Sequence, residues 1–168
     1  IFEGKPRSTY MICSTPRCGS TLLCSLLANT GVMGVPHEYF HLGQHGQILI
    51  NRLAPNPQQQ VSLVEYFNTI VRHRTTANGI FGIKAHINQC LPYYQNGFIP
   101  HFFGDIKHVA IRRRDVLGQA ISGVIASQTG KWTSREKPGN SPEYSPDAIE
   151  DALKACVFQD HLWQHFFQ

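Results

Sequence analysis

Short apolar runs and helical apolar stripes alternate along this chain, separated by breaks rich in Gly, Pro, Asn and Ser, the pattern of an α/β domain. Tyr10-Met11-Ile12 reads as a buried strand broken at Ser14-Thr15-Pro16. Gly19-Ser20-Thr21 then opens a helix whose Leu22, Leu23, Leu26 and Leu27 are expected to form its packed face. Gly31 to Phe40 is a bend around a single carboxylate, Glu38. Residues 41–60 read as an irregular connection. Ser62 with Glu65 has capping-box spacing, and Val64, Phe67, Ile70 and Val71 make one stripe of the helix that follows, down to the basic end Arg72-His73-Arg74. Asn78-Gly79 stops that helix, and Ile80 to Ile83 enters a second buried strand ending in Lys84-Ala85-His86.

A third strand is expected over Asp105 to Ile111, with Arg112-Arg113-Arg114-Asp115 leading into another helix. At about 100° per residue, Gly118, Gln119 and Ser122 share the side of Asp115, while Val116, Ala120, Ile121 and Val124 lie across the axis as the core face. Residues 131–142 predict a mobile polar loop with Trp132 as its large apolar anchor. Ser145-Pro146 starts a final helix, with Asp147 and Glu150 favourable to its dipole and Ile149, Leu153, Cys156 and Val157 expected to face the core.

Composition narrows the class. The 168 residues, 42% hydrophobic and 15% charged, suit one globular domain with a substantial core; no repeat or internal boundary appears. No apolar run approaches the roughly 20 residues of a membrane span, and the first residues do not read as a signal peptide. A net charge of +4 agrees with a multiply anionic ligand and is too small and dispersed to argue for nucleic acid. The five cysteines are odd in number and lack zinc-type pairing, so reduced thiols in a cytoplasmic protein are expected. The nine histidines are scattered, with no metal-site spacing.

The candidate chemistry begins at the first strand, loop and helix. A helix start offers free backbone N–H groups, and with the loop amides they make an anion cradle over which Ser20, Thr21 and Arg17 can close. The nucleoside-triphosphatase loop fits poorly, because Ser20 stands at its lysine and Ser14 at its first glycine. A cysteine-based phosphatase loop fits worse, since only four positions separate Cys13 from Arg17.

Pro16-Arg17-Cys18-Gly19-Ser20-Thr21 resembles the loop that holds the 5′-phosphosulfate of 3′-phosphoadenosine 5′-phosphosulfate (PAPS) in sulfotransferases. Taken in order, the landmarks Arg17 to Leu23, Gly31 to Phe40, Gly79 to Gln89, Arg113 to Ser122 and Glu143 onward resemble the bacterial trehalose 2-sulfotransferase branch over nearly the whole chain. The resemblance implies a three-layer α/β/α fold with a mainly parallel sheet, similar to the P-loop nucleotide kinases. It also implies a further strand and helical tail after Gln168, a possible homodimer, a carbohydrate or other small hydroxyl acceptor, and no metal.

Residue by residue, the resemblance puts Arg17, Cys18, Gly19, Ser20 and Thr21 on the donor's phosphosulfate and Arg113 with Ser122 on its 3′-phosphate. Arg114 replaces that branch's proline, which leaves open which arginine points inward. Glu38 falls on the proposed general base, and Lys84 on the lysine that contacts the bridging oxygen. His86 echoes the base of cytosolic sulfotransferases and is the second candidate. Val35 stands where the trehalose enzymes carry a sugar-contacting Glu, so the resemblance leaves the identity of the acceptor open. Residues 41–60 and the 131–142 loop are expected lids over the acceptor. The rival classes are a nucleotide kinase, which needs a cation at Ser20, and a non-catalytic anion-binding module.

Overall fold

β1 (Ser8–Ser14) grows from the Tyr10-Met11-Ile12 run and is buried from Thr9 onward, as befits a central strand. With β2 (Ile80–His86) and β3 (Ile106–Ala110) it forms a three-stranded sheet in the order β2-β1-β3. β1 and β3 run parallel, Thr9 opposite Ile106 and Cys13 opposite Ala110. The fold is α/β, a small parallel sheet flanked by helices. These coordinates come from a computed structural model, which describes residues 1–53, 61–133 and 136–168. Among the described residues no helix is long and apolar enough to cross a membrane.

The chain packs as two compact units, Ile1–Cys13 with Thr21–Ala110, and Ser14–Ser20 with Ile111–Gln168. In the first, α1 (Ser20–Asn29) turns Cys24 inward but leaves Leu22 and Leu26 66% and 58% exposed. The four leucines span too wide an arc to face one neighbour together, so the expected packed face is corrected to Cys24 with half-buried Leu23 and Leu27. Residues 42–53, expected to be an irregular connection, are helical. A kinked helical turn, Leu42–Gly46, leads into α2 (Gln47–Leu53), which packs on α3 (Leu63–Arg74); the part at 54–60 lies outside the described residues.

α3 (Leu63–Arg74) starts at the expected box: Ser62 Oγ accepts from the Glu65 N–H at 3.3 Å, and Glu65 Oε2 accepts from the Ser62 N–H at 2.9 Å. Its buried stripe is Tyr66, Phe67, Ile70 and Val71; Val64, expected inside, is exposed. α4 (Ile87–Gln95) and α5 (Phe98–Phe103) complete the unit. Phe67 lies among the rings of Phe40, Phe98, Phe102 and Phe103 with centroids 4.8 to 5.9 Å away, and that cluster fastens α3 and α5 together.

The second unit pairs α6 (Val116–Thr129) with α7 (Pro146–Phe166). Asp115 caps α6 and Ser145 caps α7. Two expectations fail on α6: Ile121 is exposed, and Gln119, expected on the polar side, is buried because loop groups satisfy its amide. On α7 Val157 is exposed, Ile149, Leu153 and Cys156 are half-buried, and the buried anchor is Trp163. Trp132, expected as the apolar anchor of its loop, is 49% exposed. Its loop is tied instead by hydrogen bonds: the Gly139 N–H reaches the Thr129 carbonyl at 2.8 Å, and the Trp132 and Thr133 N–H groups reach Glu136 Oε2. Residues 134–135 of that predicted loop lie outside the described residues.

Candidate active site

Glu38 sits on a loop that cannot wander. The Val35 N–H bonds the Arg74 carbonyl at 3.1 Å, the Lys84 N–H bonds the His37 carbonyl at 3.0 Å, and the hydroxyls of Tyr10, Tyr39 and Tyr66 each bond a carbonyl of residues 33–39. Gly34 is required, because φ is +70° and a Cβ would lie 2.8 Å from the Gly82 nitrogen. The sequence thus spends three tyrosines and a glycine on holding one carboxylate beside the end of β2.

There the first unit gathers its charges. Lys84, 7% exposed, places Nζ 2.7 Å from Glu38 Oε1 and 3.1 Å from Thr21 Oγ1 on α1. Gln89, on α4, donates from Nε2 to Glu38 Oε2 at 2.8 Å. His86 Nε2 is 3.7 Å from Glu38 Oε1, and His41 Nδ1 is 3.9 Å from Oε2. Burial alone would push the Glu38 carboxyl up. The Lys84 ammonium, the His86 ring and the hydrogen bonds from Gln89 and Lys84 outweigh it and hold the carboxyl at about 2. Of the residues singled out in the sequence, Glu38, Lys84, His86 and Thr21 therefore meet in one cluster.

The second unit contains the loop Ser14–Ser20. Arg17, at φ 64°, is the only non-glycine with positive φ among the described residues, and Gly19 follows at φ 96°. A left-handed arginine costs on the order of 1–3 kcal/mol and persists only where its surroundings impose it. They do so here. Gln119 Nε2 donates to Thr15 Oγ1 at 2.8 Å and to the Pro16 carbonyl at 2.7 Å, and Trp163 Nε1 donates to the Ser14 carbonyl at 3.1 Å. Arg17 itself reaches Ser122 Oγ at 3.0 Å through Nε and the Trp132 carbonyl through Nη1. Cys18 and Ser20 are buried in the same loop.

A cavity of about 490 Å³ opens beside that arginine, with Arg17, Ser122, Lys131 and Thr133 among its polar lining and Ile121 and Ile125 among its apolar lining. Arg113 is the half-buried member of the Arg112–Arg114 run. It pairs with Asp115 at 3.1 Å, and both pack so tightly on Gly118 that a Cβ there would fall 2.0 Å from Asp115 Oδ2. Arg17 and Ser122 thus touch directly, while Arg113 is engaged by the α6 cap. Burial pushes the Cys13 thiol up, so it is an inert core group and not a nucleophile. Among the described residues no group of His, Cys, Asp and Glu side chains is arranged to hold a metal.

Gln89 and Trp163 are residues at the candidate site that sequence reasoning missed, and Gln119 was placed on the polar side of its helix without its contacts. Gln89 did carry a signal: His86-x-x-Gln89 has capping-box spacing at a strand-to-helix junction, and the two residues cap α4 reciprocally. The contacts of Gln119 and Trp163 carried none, because their partners lie more than a hundred positions away.

The chain is 27% identical to trehalose 2-sulfotransferase of Mycobacterium tuberculosis, over 94% of this chain and 72% of that protein. It is likewise 27% identical to trehalose 2-sulfotransferase of Mycolicibacterium smegmatis, over 95% of this chain and 73% of that protein. The family model described as Stf0 sulphotransferase matches residues 9–168. With nearly the whole chain matched, including the loop at Arg17, Glu38, Lys84 and the Arg113 to Ser122 stretch, this protein belongs to the Stf0 sulphotransferase family.

Proposed function

We propose that this chain transfers a sulfuryl group from PAPS to a hydroxyl of a carbohydrate. The observation that carries the reading is Lys84, whose single ammonium bonds both Thr21 Oγ1 at the start of α1 and the Glu38 carboxylate. That arrangement supplies a cation for a leaving oxygen and a base for an incoming hydroxyl. The cavity fits the donor's chemistry as well, offering Arg17, Lys131 and Ser122 to phosphate groups and Ile121 and Ile125 to a flat ring. The carbohydrate comes from the two relatives, both named as trehalose 2-sulfotransferases.

When bound, PAPS supplies the electrophilic sulfur and the phosphate leaving group. Arg17, Ser20, Thr21 and the amides at Cys18 and Gly19 hold its phosphosulfate, and Arg113 with Ser122 holds its 3′-phosphate. Lys84 donates a hydrogen bond where charge builds on the bridging oxygen. Glu38 takes the acceptor's proton. A carboxyl held at about 2 is a weak base, but its hold depends on Lys84. Engagement of that ammonium by a second anion loosens the pair and lets the carboxyl rise toward its ordinary range. His86 is the second candidate base, favoured by its Nε2 lying 3.7 Å from Glu38 Oε1.

Calorimetry tests the donor class. The expected result is binding of 3′-phosphoadenosine 5′-phosphate in preference to ATP with magnesium; the opposite preference points to a nucleotide kinase. In the same experiment Arg113→Ala weakens the bisphosphate by about 1.5–3 kcal/mol, the contribution of a charge-assisted hydrogen bond, and leaves adenosine 5′-phosphate nearly unchanged. Equal losses for both nucleotides remove Arg113 from the 3′-phosphate.

A further inference from the structure

We infer that Gln89 is a positioning residue that keeps the Glu38 carboxylate aimed for proton transfer, an inference that rests on Glu38 being the base. Gln89 is the third residue of α4. Its side-chain oxygen accepts the His86 backbone N–H at 3.0 Å, so its –NH₂ end is the one that meets Glu38 Oε2, at 2.8 Å. With Oε1 on Lys84 at 2.7 Å, each carboxylate oxygen has its own donor. Rotation of the carboxylate about its last bond would break both contacts.

Among the described residues, the groups facing Glu38 are Lys84 and His86 from β2, His41 and His37 from its own loop, and Gln89 from α4. Gln89 is the one among them that cannot carry charge. Lys84 is the cation an incoming donor competes for, and its grip on Glu38 weakens as that competition succeeds. Gln89 has no such conflict. It is fixed to the backbone at the β2–α4 junction, and its single N–H bond keeps Oε2 in place while Oε1 is freed.

The test uses Gln89→Met, which removes both amide ends, and Gln89→Glu, which keeps an acceptor for the His86 N–H but sets a second carboxylate against Glu38. Expected for Gln89→Met are a ~10-fold lower kcat, the rate equivalent of one lost hydrogen bond to a charged group, and a donor KM within about twofold of wild type. The acidic limb of the pH–rate profile and the Glu38 carboxyl titration, followed by NMR, both move to higher pH, because a bond to the charged form is gone. Gln89→Glu moves them the same way, and further. A merely structural glutamine would lower the melting temperature and leave both titrations in place, and that result in either folded variant overturns the inference. Turnover retained in Glu38→Gln would instead remove Glu38 as the base. The NMR titration needs no turnover, so it separates that failure from failure of the contact itself.

Discussion

Glu38→Gln lowers turnover by ~10²- to 10⁴-fold, the usual worth of a general base, while donor affinity stays within about twofold. The amide keeps the shape of the carboxylate and can still accept from Lys84 Nζ, so the loop at residues 33–39 stays pinned by its tyrosines and by the Lys84 N–H to His37 bond. What is lost is a group able to take a proton at neutral pH. His86→Asn is expected to cost far less. Steady-state kinetics with parallel calorimetry of the donor product check both. The reverse ranking moves the base to His86, and wild-type rates in both variants leave the proposed mechanism without a base.

Lys84→Met removes the cation that ties Thr21 to Glu38, with two separate consequences. The first is catalytic: loss of one donor to a developing oxyanion costs ~10²- to 10³-fold in kcat. The second is a change in how stability depends on pH. In the native protein the Glu38 carboxyl lies near 2, below its ordinary 4.5. Its contribution to stability is therefore complete above about pH 4.5 and lost as pH falls toward about 2. Burial is already the largest single influence on that carboxyl, and without Lys84 less offsets it, so the carboxyl moves up. Neutral pH then leaves a half-buried charge poorly paired, destabilising by on the order of 2–3 kcal/mol. Denaturant midpoints near neutral pH and near pH 3 are expected to show a variant much weaker than wild type at the first and a clearly smaller difference at the second. A constant difference across that range would mean that Lys84 does not control the ionisation of Glu38.

Much of the frame was legible because it depends on neighbours in sequence. The Ser62–Glu65 box, the caps at Ser145 and Asp115, and the strands ending at Ser14 and His86 are written within a few residues of where they act. Apolar stripes were less informative. Leu22, Leu26, Val64, Ile121 and Val157 fit helical spacing, yet each is exposed, because periodicity marks an apolar face without saying what covers it. α4 and α5 went unread, since Pro92 and Pro100 interrupt the pattern that would have declared them. At the candidate site the charged groups Glu38, Lys84 and His86 were visible as residue types at strand and loop ends. The amides that orient the site were not: Gln89 meets Glu38 across 51 positions, and Gln119 meets Thr15 across 104.

Sulfuryl transfer is measured most directly by following the group itself. The protein is incubated with PAPS isotopically labelled in that group and with a carbohydrate acceptor, and the label is traced by mass spectrometry. The expected result is label on an acceptor hydroxyl, an equal amount of 3′-phosphoadenosine 5′-phosphate, and loss of both signals in Glu38→Gln. Tight binding of the donor product without label transfer to any of a panel of carbohydrate hydroxyls, or transfer undiminished in Glu38→Gln, would contradict it.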